Sequence, residues 1–443
     1  MKTWKKVLTA GVCAVLLAVV LVFVFQQKQP AKESVRLIIK VPPLAMTSDE
    51  IPDARDAADI LKLAGAEFAA QYDAAHVIID VVKFDYPSED RFITDCFDTK
   101  DAADVLCEAY SNMSTYIHTG RVVPLDDIIP EELRADIDKV FWEMSQVEGK
   151  TYLMPFYTMQ NTLCYNKDLF RQCGLEAYIG ESGTIQSWTP EEWDTILSTL
   201  AGKLPEMTYP MLMYGKNEQG DTHIMTLLRS RGCPLFDENG LFCVNTPEGI
   251  EALQWIQDAC ASGYFPANCE SLEINDCVEL FRNGQLAICM VNNATYSQES
   301  GDIGLVNFPS RDGRGYNTEF LSGFAVFDNG NPAKLAAAKA FLQFLYGSEK
   351  YMDCSRSAIP VSDAVAARED EATALDRAYR ENTANTVDIT ANNPNWRGVR
   401  NVFWVQIHDL LTGDRTAAET AEAIDRACNA AILEGRKSSV FYE

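Results

Sequence analysis

The sequence predicts an α/β protein built from two domains. At 443 residues the chain is too long for a single hydrophobic core and long enough for two. Its first third alternates strand and helix patterns, which predicts a parallel sheet with ligand contacts at the carboxyl ends of its strands. Apolar residues make up 47% of the chain and charged residues 23%, as in ordinary globular proteins.

The elements of this first third follow from local patterns. Residues 37–41 form an apolar run typical of a buried strand, and residues 53–72 carry the apolar spacing of a helix. Residues 77–82 predict a second strand and residues 104–107 a third. Residues 120–129, GRVVPLDDII, predict a turn at the surface.

Helix starts are marked by capping signals further along the chain. Thr189, Pro190 and Glu192 form a capping box with proline at the first helical position. Three more starts carry a cap or an N-terminal proline: Thr246 with Pro247, Asn331 with Pro332, and Thr416 with Glu419.

The N-terminus predicts a membrane anchor. Residues 7–25 are an uninterrupted, mostly apolar run that would span roughly 28 Å as a helix, about one bilayer core. Lys2, Lys5 and Lys6 place the short N-terminus in the cytoplasm and the remainder outside. No small-x-small exit follows the run and Cys13 lies inside it, which favours an uncleaved transmembrane helix over a cleaved signal or a lipoprotein.

Charge and missing motifs exclude several functions. With 38 basic and 64 acidic residues the net charge is −26, which argues against nucleic acid as a partner. No G-x-S-x-G, H-E-x-x-H or P-loop occurs, and the four histidines are scattered along the chain, so we predict no enzyme, no metal site and no cofactor. A pair of catalytic carboxylates among the 64 acids stays open as an alternative.

Twelve cysteines follow Cys13. Most occupy positions suited to small buried residues, such as Cys164, Cys289 and Cys428, which favours reduced core cysteines. Disulfides are the alternative outside the cell, and Cys233 with Cys243 is the best pair because these residues flank a predicted hairpin.

The segment at residues 149–175 reads GKTYLMPFYTMQNTLCYNKDLFRQCGL. Its residues predict a strand, a turn over residues 156–161, a short strand at 163–165, and a helix that Gly174 ends. Its sequence pattern, G-K-x-Y-x-x-P followed by Y-N-K-D-L-F-x-x-x-G-L, resembles that of the extracellular solute-binding proteins of ABC importers. This family binds sugars and related solutes. The phrases GRVVPLDDII and LFRNGQLAICM are also similar to patterns of that family.

This resemblance implies a type II periplasmic-binding-protein-like fold of two discontinuous lobes joined by a hinge and preceded by the transmembrane helix. The implied first lobe comprises residues 35–157 with 307–347. The second comprises 158–306 with 348–443, and residues 1–34 form the anchor and tether. The chain would cross between the lobes near residues 155–163, again near residues 303–309 and a third time near residues 346–350.

The resemblance also implies which residues face the solute. They are Tyr296, Trp396, Glu108, Tyr110, Ser111, Asn293, Tyr157, Gln160, Gly323 and Arg397.

Aromatic faces and paired hydrogen-bonding side chains suit a hydroxyl-rich solute. Tyr296 stands where the family often has tryptophan, so we expect it to be the stacking platform. Trp396 follows Asn-Pro-Asn and is expected to be exposed, whereas Trp404 is expected in the core with Val405 and Leu411. Packing roles are the alternatives for Tyr157 and Tyr296, a solvated acid for Glu108, and a plain bulge for Gly323.

The expected function is capture of a small solute, by resemblance a saccharide, at the extracytoplasmic face of the membrane. The expected partners are the solute, the permease subunits of an ABC transporter, and the membrane through residues 7–25, with the protein itself a monomer. Three alternatives stay open: a membrane-anchored solute sensor, a binder of peptides or polyamines, and a surface enzyme acting on glycans.

Overall fold

The computed structural model describes residues 33–44, 46–293, 302–368 and 373–442. The predicted anchor at residues 7–25 and the predicted platform Tyr296 lie outside these ranges. Within them, no helix has both the length and the apolar character needed to cross a membrane.

The described strands belong mainly to one large sheet. Hydrogen bonding gives the order β2-β1-β3-β13-β6-β11-β8, and β12, β14 and β7 attach at the side. The strands are β1 Ser34–Val41, β2 His76–Lys83, β3 Val105–Ala109, β4 Gln146–Val147, β5 Lys150–Thr151, β6 Met154–Asn166, β7 Ile185–Gln186, β8 Tyr209–Met211, β9 Leu235–Phe236, β10 Phe242–Cys243, β11 Leu286–Asn292, β12 Ile303–Val306, β13 Thr318–Val326 and β14 Ile359–Pro360.

The α-helices of the described ranges pack on both faces of this sheet. They are α1 Ala57–Gln71, α2 Glu89–Phe92, α3 Tyr110–His118, α4 Glu131–Asp136, α5 Lys139–Met144, α6 Lys167–Cys173, α7 Pro190–Lys203, α8 Asp221–Ser230, α9 Pro247–Ala261, α10 Ile274–Arg282, α11 Pro332–Tyr346, α12 Glu349–Met352, α13 Asp363–Ala367, α14 Ala374–Asn382, α15 Trp396–Thr412 and α16 Ala417–Ser438.

Strand β6 connects the two lobes. Its first half pairs antiparallel with β13, from Met154 opposite Phe324 to Asn161 opposite Thr318. Its second half pairs with β11 on one side and with β12 on the other. One strand of 13 residues therefore carries hydrogen bonds from the sheet of one lobe into the sheet of the other.

Buried apolar side chains form separate cores on the two sides of this junction. Two clusters cover opposite faces of the first-lobe sheet, since Val105 and Cys107 of β3 point into one and Leu106 into the other. A larger cluster built on the second half of β6, α7 to α9, α15 and α16 forms the second-lobe core. Tyr351 and Val365, assigned to the second lobe above, contribute to a first-lobe cluster; the lobe boundaries as a whole stay a prediction.

The strand and helix order of the first third is confirmed. Strand β1 pairs parallel with both β2 and β3, as the alternation of strands and helices predicts. Gly174 ends α6 in the left-handed conformation with φ of 75°, and Thr189 with Glu192 forms both hydrogen bonds of the predicted capping box.

The turn predicted at residues 156–161 is wrong. These residues continue β6 because β13 pairs with Tyr157 to Asn161, and Phe156 lies at the register shift opposite Ser322 and Gly323. The polar and aromatic composition of this run predicts a turn when it is considered alone. Pairing with neighbouring strands nevertheless holds it in an extended strand.

The described cysteines are all free thiols, and nine of the twelve are buried. Burial agrees with the interpretation of most cysteines as small core residues. Cys233 and Cys243 flank the hairpin β9–β10 as predicted, and the Cys233 Sγ lies 3.9 Å from the Cys243 carbonyl oxygen.

Gly323 is required by the close approach of β6 and β13. The strand register shifts between Ser322 and Gly323, and a Cβ on Gly323 would lie 2.1 Å from the Met154 carbonyl oxygen. We predict that Gly323→Ala lowers the free energy of unfolding by about 3 kcal/mol, since the obstructing atom belongs to the backbone.

The matched control is Gly202→Ala in α7, where nothing lies within 4 Å of the added Cβ. This substitution should raise stability by about 0.5–1 kcal/mol, because alanine favours a helix over glycine. Urea unfolding of both variants checks the pair, and equal effects would contradict the packing role of Gly323.

Candidate functional site

The carboxyl ends of the parallel strands form one side of the candidate site. Strands β1, β2 and β3 end together, and each leads into a loop or helix at this edge of the sheet. A hollow of about 570 Å³ lies over the residues that follow β1 and β2, including Leu44, Phe84 and Asp85. This is the edge at which the sequence predicts ligand contacts.

A second hollow of about 280 Å³ lies between the two lobes. Polar side chains from both lobes line it: Glu89, Thr94, Asn112 and Tyr116 from the first lobe, with Asn395, Arg397 and Asn401 from the second. Its size suits a small solute, and polar groups converge on it from two directions.

Two buried glutamates, Glu89 and Glu108, are called the acidic pair below. Glu89 lines this interlobe hollow, and Glu108 lies behind it, next to the lining residue Asn112. Asn112 lies between them, with its Nδ2 3.4 Å from Glu89 Oε2 and 3.5 Å from Glu108 Oε1. The two glutamates are held very differently by their other neighbours.

Both oxygens of Glu89 have partners. Tyr116 donates its hydroxyl hydrogen to Oε1, and Arg397 of the second lobe forms an ion pair with Oε2. Glu108 Oε1 accepts the Ala109 N–H at 2.6 Å. Glu108 Oε2 is buried and has no hydrogen-bond partner among the described residues.

The pKa of Glu108 is raised to about 8, first by burial and then by the negative charge of Glu89, whose effect exceeds the lowering by Arg397. The carboxyl group is therefore mostly protonated at neutral pH in this conformation. Such a shift in a cleft is typical of residues that act on ligands.

Tyr86 and Tyr157 lie within electrostatic range of Glu108. Burial raises the pKa of both phenols, and the charge of Glu108 contributes to each shift. Tyr157 also hydrogen-bonds the Ser322 side chain. Tyr86 as a whole residue is 44% exposed, whereas burial of its hydroxyl group is the main cause of its raised pKa, so part of the residue faces solvent at the edge of the sheet.

The lobes touch along α3. Tyr110 donates its hydroxyl hydrogen to the Asn392 side chain, and Ser114 Oγ donates to the Asn393 carbonyl oxygen at 2.9 Å. His118 Nε2 lies 3.0 Å from the Asn392 carbonyl oxygen and Nδ1 2.7 Å from Ser439 Oγ. Tyr110 therefore contacts the opposite lobe in this conformation.

Gln160 lies in a buried polar network. Its Nε2 donates to Glu319 Oε1 at 2.5 Å and to the Tyr379 carbonyl oxygen at 2.6 Å, while its Oε1 accepts from Asn382 at 3.1 Å. These bonds give Gln160 a packing role in this conformation.

Other predicted residues are also placed by the structure. Ser111 lines a separate hollow of about 160 Å³ with Tyr110 and Glu319. Asn293 Oδ1 accepts the Gln160 backbone N–H at 3.2 Å, at the junction of the lobes.

The expected exposure of the two tryptophans of α15 is wrong. Trp396 is 3% exposed and packs in the second-lobe core, whereas Trp404 is half-buried and Val405 is 38% exposed. The helix turns Trp396, Val399 and Phe403 inward. Spacing places Trp404 on the face that carries Arg397, whose guanidinium reaches the acidic pair.

Sequence reasoning missed Tyr86, Glu89 and Asn112. The loop after β2 carries Tyr86 and Glu89, and the rule that ligands bind at carboxyl ends of parallel strands points to that loop. Asn112 lies in the first turn of α3, which follows β3 directly, so the same rule could have found it. Among the described residues, no group of three histidine, cysteine or acidic side chains could hold a metal ion.

The model of the protein family described as "Bacterial extracellular solute-binding protein" matches residues 57–352. The chain belongs to this family. The matched residues include strands β2 and β3, the acidic pair, Tyr157 and Gly323.

Solved structures share the two-lobe fold of this solute-binding protein. The sugar-binding protein MalE from Xanthomonas citri is 15% identical, with a TM-score of 0.71 over 91% of this chain and 98% of that one. The cyclic α-maltosyl-1,6-maltose binding protein from Arthrobacter globiformis is 18% identical, with a TM-score of 0.69 over 90% and 100%. A solute-binding protein from Agrobacterium radiobacter in complex with ribitol is 18% identical, with a TM-score of 0.67 over 90% and 100%.

A curated relative from Brucella abortus, named as a binding protein, is 23% identical over 176 residues. The match spans 39% of this chain and 40% of the length of that relative.

The raised pKa of Glu108 predicts a pH dependence of stability. The unfolded chain loses this proton near the ordinary value of 4.5, whereas the folded protein keeps it to about 8. The folded state therefore binds more protons between these values, and stability falls as pH rises through that window. Between pH 5 and pH 8 the free energy of unfolding of the wild type should therefore fall by roughly 2–5 kcal/mol more than that of Glu108→Gln.

Urea unfolding at pH 5 and pH 8 measures this slope. Glu251→Gln, which removes an exposed carboxylate paired with Arg311, is the control and should keep the wild-type slope. Equal slopes in wild type and Glu108→Gln would show that Glu108 is not held protonated.

Proposed function

We propose that this protein is the extracytoplasmic solute-binding component of an ABC importer and that it captures a saccharide between its lobes. The observation that carries the proposal is the interlobe hollow, which polar side chains line from both lobes. Family membership supports solute binding, and several proteins of the same fold are named for the sugars or polyols they hold.

The site chemistry suits a hydroxyl-rich solute. Asn112 and Arg397 offer hydrogen-bond donors, the acidic pair offers acceptors, and Tyr86 offers an aromatic face for C–H surfaces. Tyr296 and Asn293 remain candidates from the sequence, and Tyr157 lies on β6 beside the acidic pair.

Capture proceeds by hinge closure. The solute enters while the lobes are apart, and closure brings Arg397 of the second lobe against Glu89 of the first. A solute that contacts both lobes binds the closed form better than the open form, and this difference in affinity drives the change. The closed form then docks on the permease and releases the solute unaltered.

The proposed location is the outer face of the cell membrane. The family is extracellular, and residues 7–25 would tether the protein there as a single helix. The short segment at residues 26–34 would give the lobes a reach of up to about 30 Å.

We predict that saccharides which bind this protein raise its melting temperature, because a ligand of the native state alone stabilises it. Thermal unfolding of the full chain against a panel of monosaccharides, oligosaccharides, peptides and polyamines tests the class. Stabilisation by peptides or polyamines alone would contradict the proposal.

Tyr86→Ala should weaken binding of the stabilising sugar at least tenfold, since the substitution removes the exposed ring beside the acidic pair. Tyr442→Ala is the control, because Tyr442 is 43% exposed and stacks on His118 instead. Calorimetry measures both affinities, and an unchanged affinity in Tyr86→Ala would exclude this face from the site.

A further inference from the structure

One oxygen of the acidic pair is left without a partner. Glu108 Oε2 is buried and accepts no hydrogen bond from the described residues, whereas both oxygens of the neighbouring Glu89 are bonded. A buried polar oxygen without a hydrogen-bond partner is costly, and native structures normally satisfy such atoms. The partner of this oxygen therefore lies outside the described residues, and a bound solute could supply it.

Among the described contacts, no basic residue forms an ion pair with Glu108 itself. Arg397 pairs with Glu89, and Lys40 of β1 donates to the Phe92 carbonyl oxygen in the described contacts. At Glu108 the charge of Glu89 has a larger effect than that of Arg397. The local field thus favours an arriving positive charge.

Aromatic groups near Glu108 add to this preference. Tyr86 and Tyr157 lie within electrostatic range of its carboxyl group, and a tyrosine ring attracts cations to its face. The net charge of −26 on the whole chain also raises the association rate of cationic solutes.

A hydroxyl group would give Glu108 Oε2 a hydrogen bond and leave the carboxyl group protonated, because it supplies no counter-charge for the ionised form. A protonated amine supplies both, through a charge-assisted hydrogen bond that is stronger than a neutral one. Hydroxyl groups on the same solute would still use Asn112 and Arg397.

We propose that the solute carries a protonated amine beside its hydroxyl groups, as an amino sugar does, and that Glu108 is its counter-ion. This inference rests on the proposed function, because it assumes that the solute is a saccharide bound between the lobes. No covalent step is involved.

The test compares matched sugars on the full chain by calorimetry at pH 7. The probes are glucosamine, galactosamine and mannosamine with their short oligosaccharides, each set against the parent sugar and the neutral N-acetyl form. The expected result is at least tenfold tighter binding of an amino form than of both neutral forms.

Proton release gives a second readout that needs no variant. Glu108 must ionise to pair with an amine, so binding at pH 7 should release close to one proton. Calorimetry in several buffers measures this release, because the observed binding enthalpy then depends on the ionisation enthalpy of the buffer. Glu108→Gln should abolish that release and reduce affinity for the amino form at least tenfold more than for the neutral form. Glu251→Gln should change neither.

The failures are distinguishable. Equal or tighter binding of the neutral forms, or amine binding without proton release, overturns the inference and leaves the proposed function standing. Binding of none of these sugars or their oligomers, with or without an amine, contradicts both.

Discussion

The architecture depends on the continuity of strand β6. Because β6 pairs with β13 in its first half and with β11 and β12 in its second, the two lobes share one hydrogen-bonded sheet. The lobes stay connected through this strand and can rotate by bending it. Such a connection permits a cleft to open and close.

The candidate site lies where this restriction brings two chemically different surfaces together. The first lobe contributes the acidic pair at the carboxyl ends of parallel strands, and the second contributes Arg397 from the start of α15. The ion pair of Glu89 with Arg397 satisfies one carboxylate across the cleft, whereas Glu108 keeps one oxygen without a partner in the described chain. Closure therefore depends on electrostatics as well as on shape.

Local patterns were sufficient to predict the elements but not their partners. The strands of the first third and the capped helices were predicted because their signals lie within a few residues. Strand β6 was divided wrongly because its pairing with β13 involves residues more than 150 positions away. The exposures of Trp396 and Trp404 were predicted wrongly because packing on α9 and α16 sets the inward face of α15, which local sequence does not reveal. Glu89 was missed for the same reason, since its ion pair spans 308 positions.

The central claim is that two lobes close on a small solute and release it unchanged. Small-angle X-ray scattering of the protein, alone and with the sugar that stabilises it most, measures this movement directly. The account predicts a smaller radius of gyration with the sugar bound and recovery of the intact sugar afterwards. A radius of gyration that stays the same at saturating sugar would contradict it.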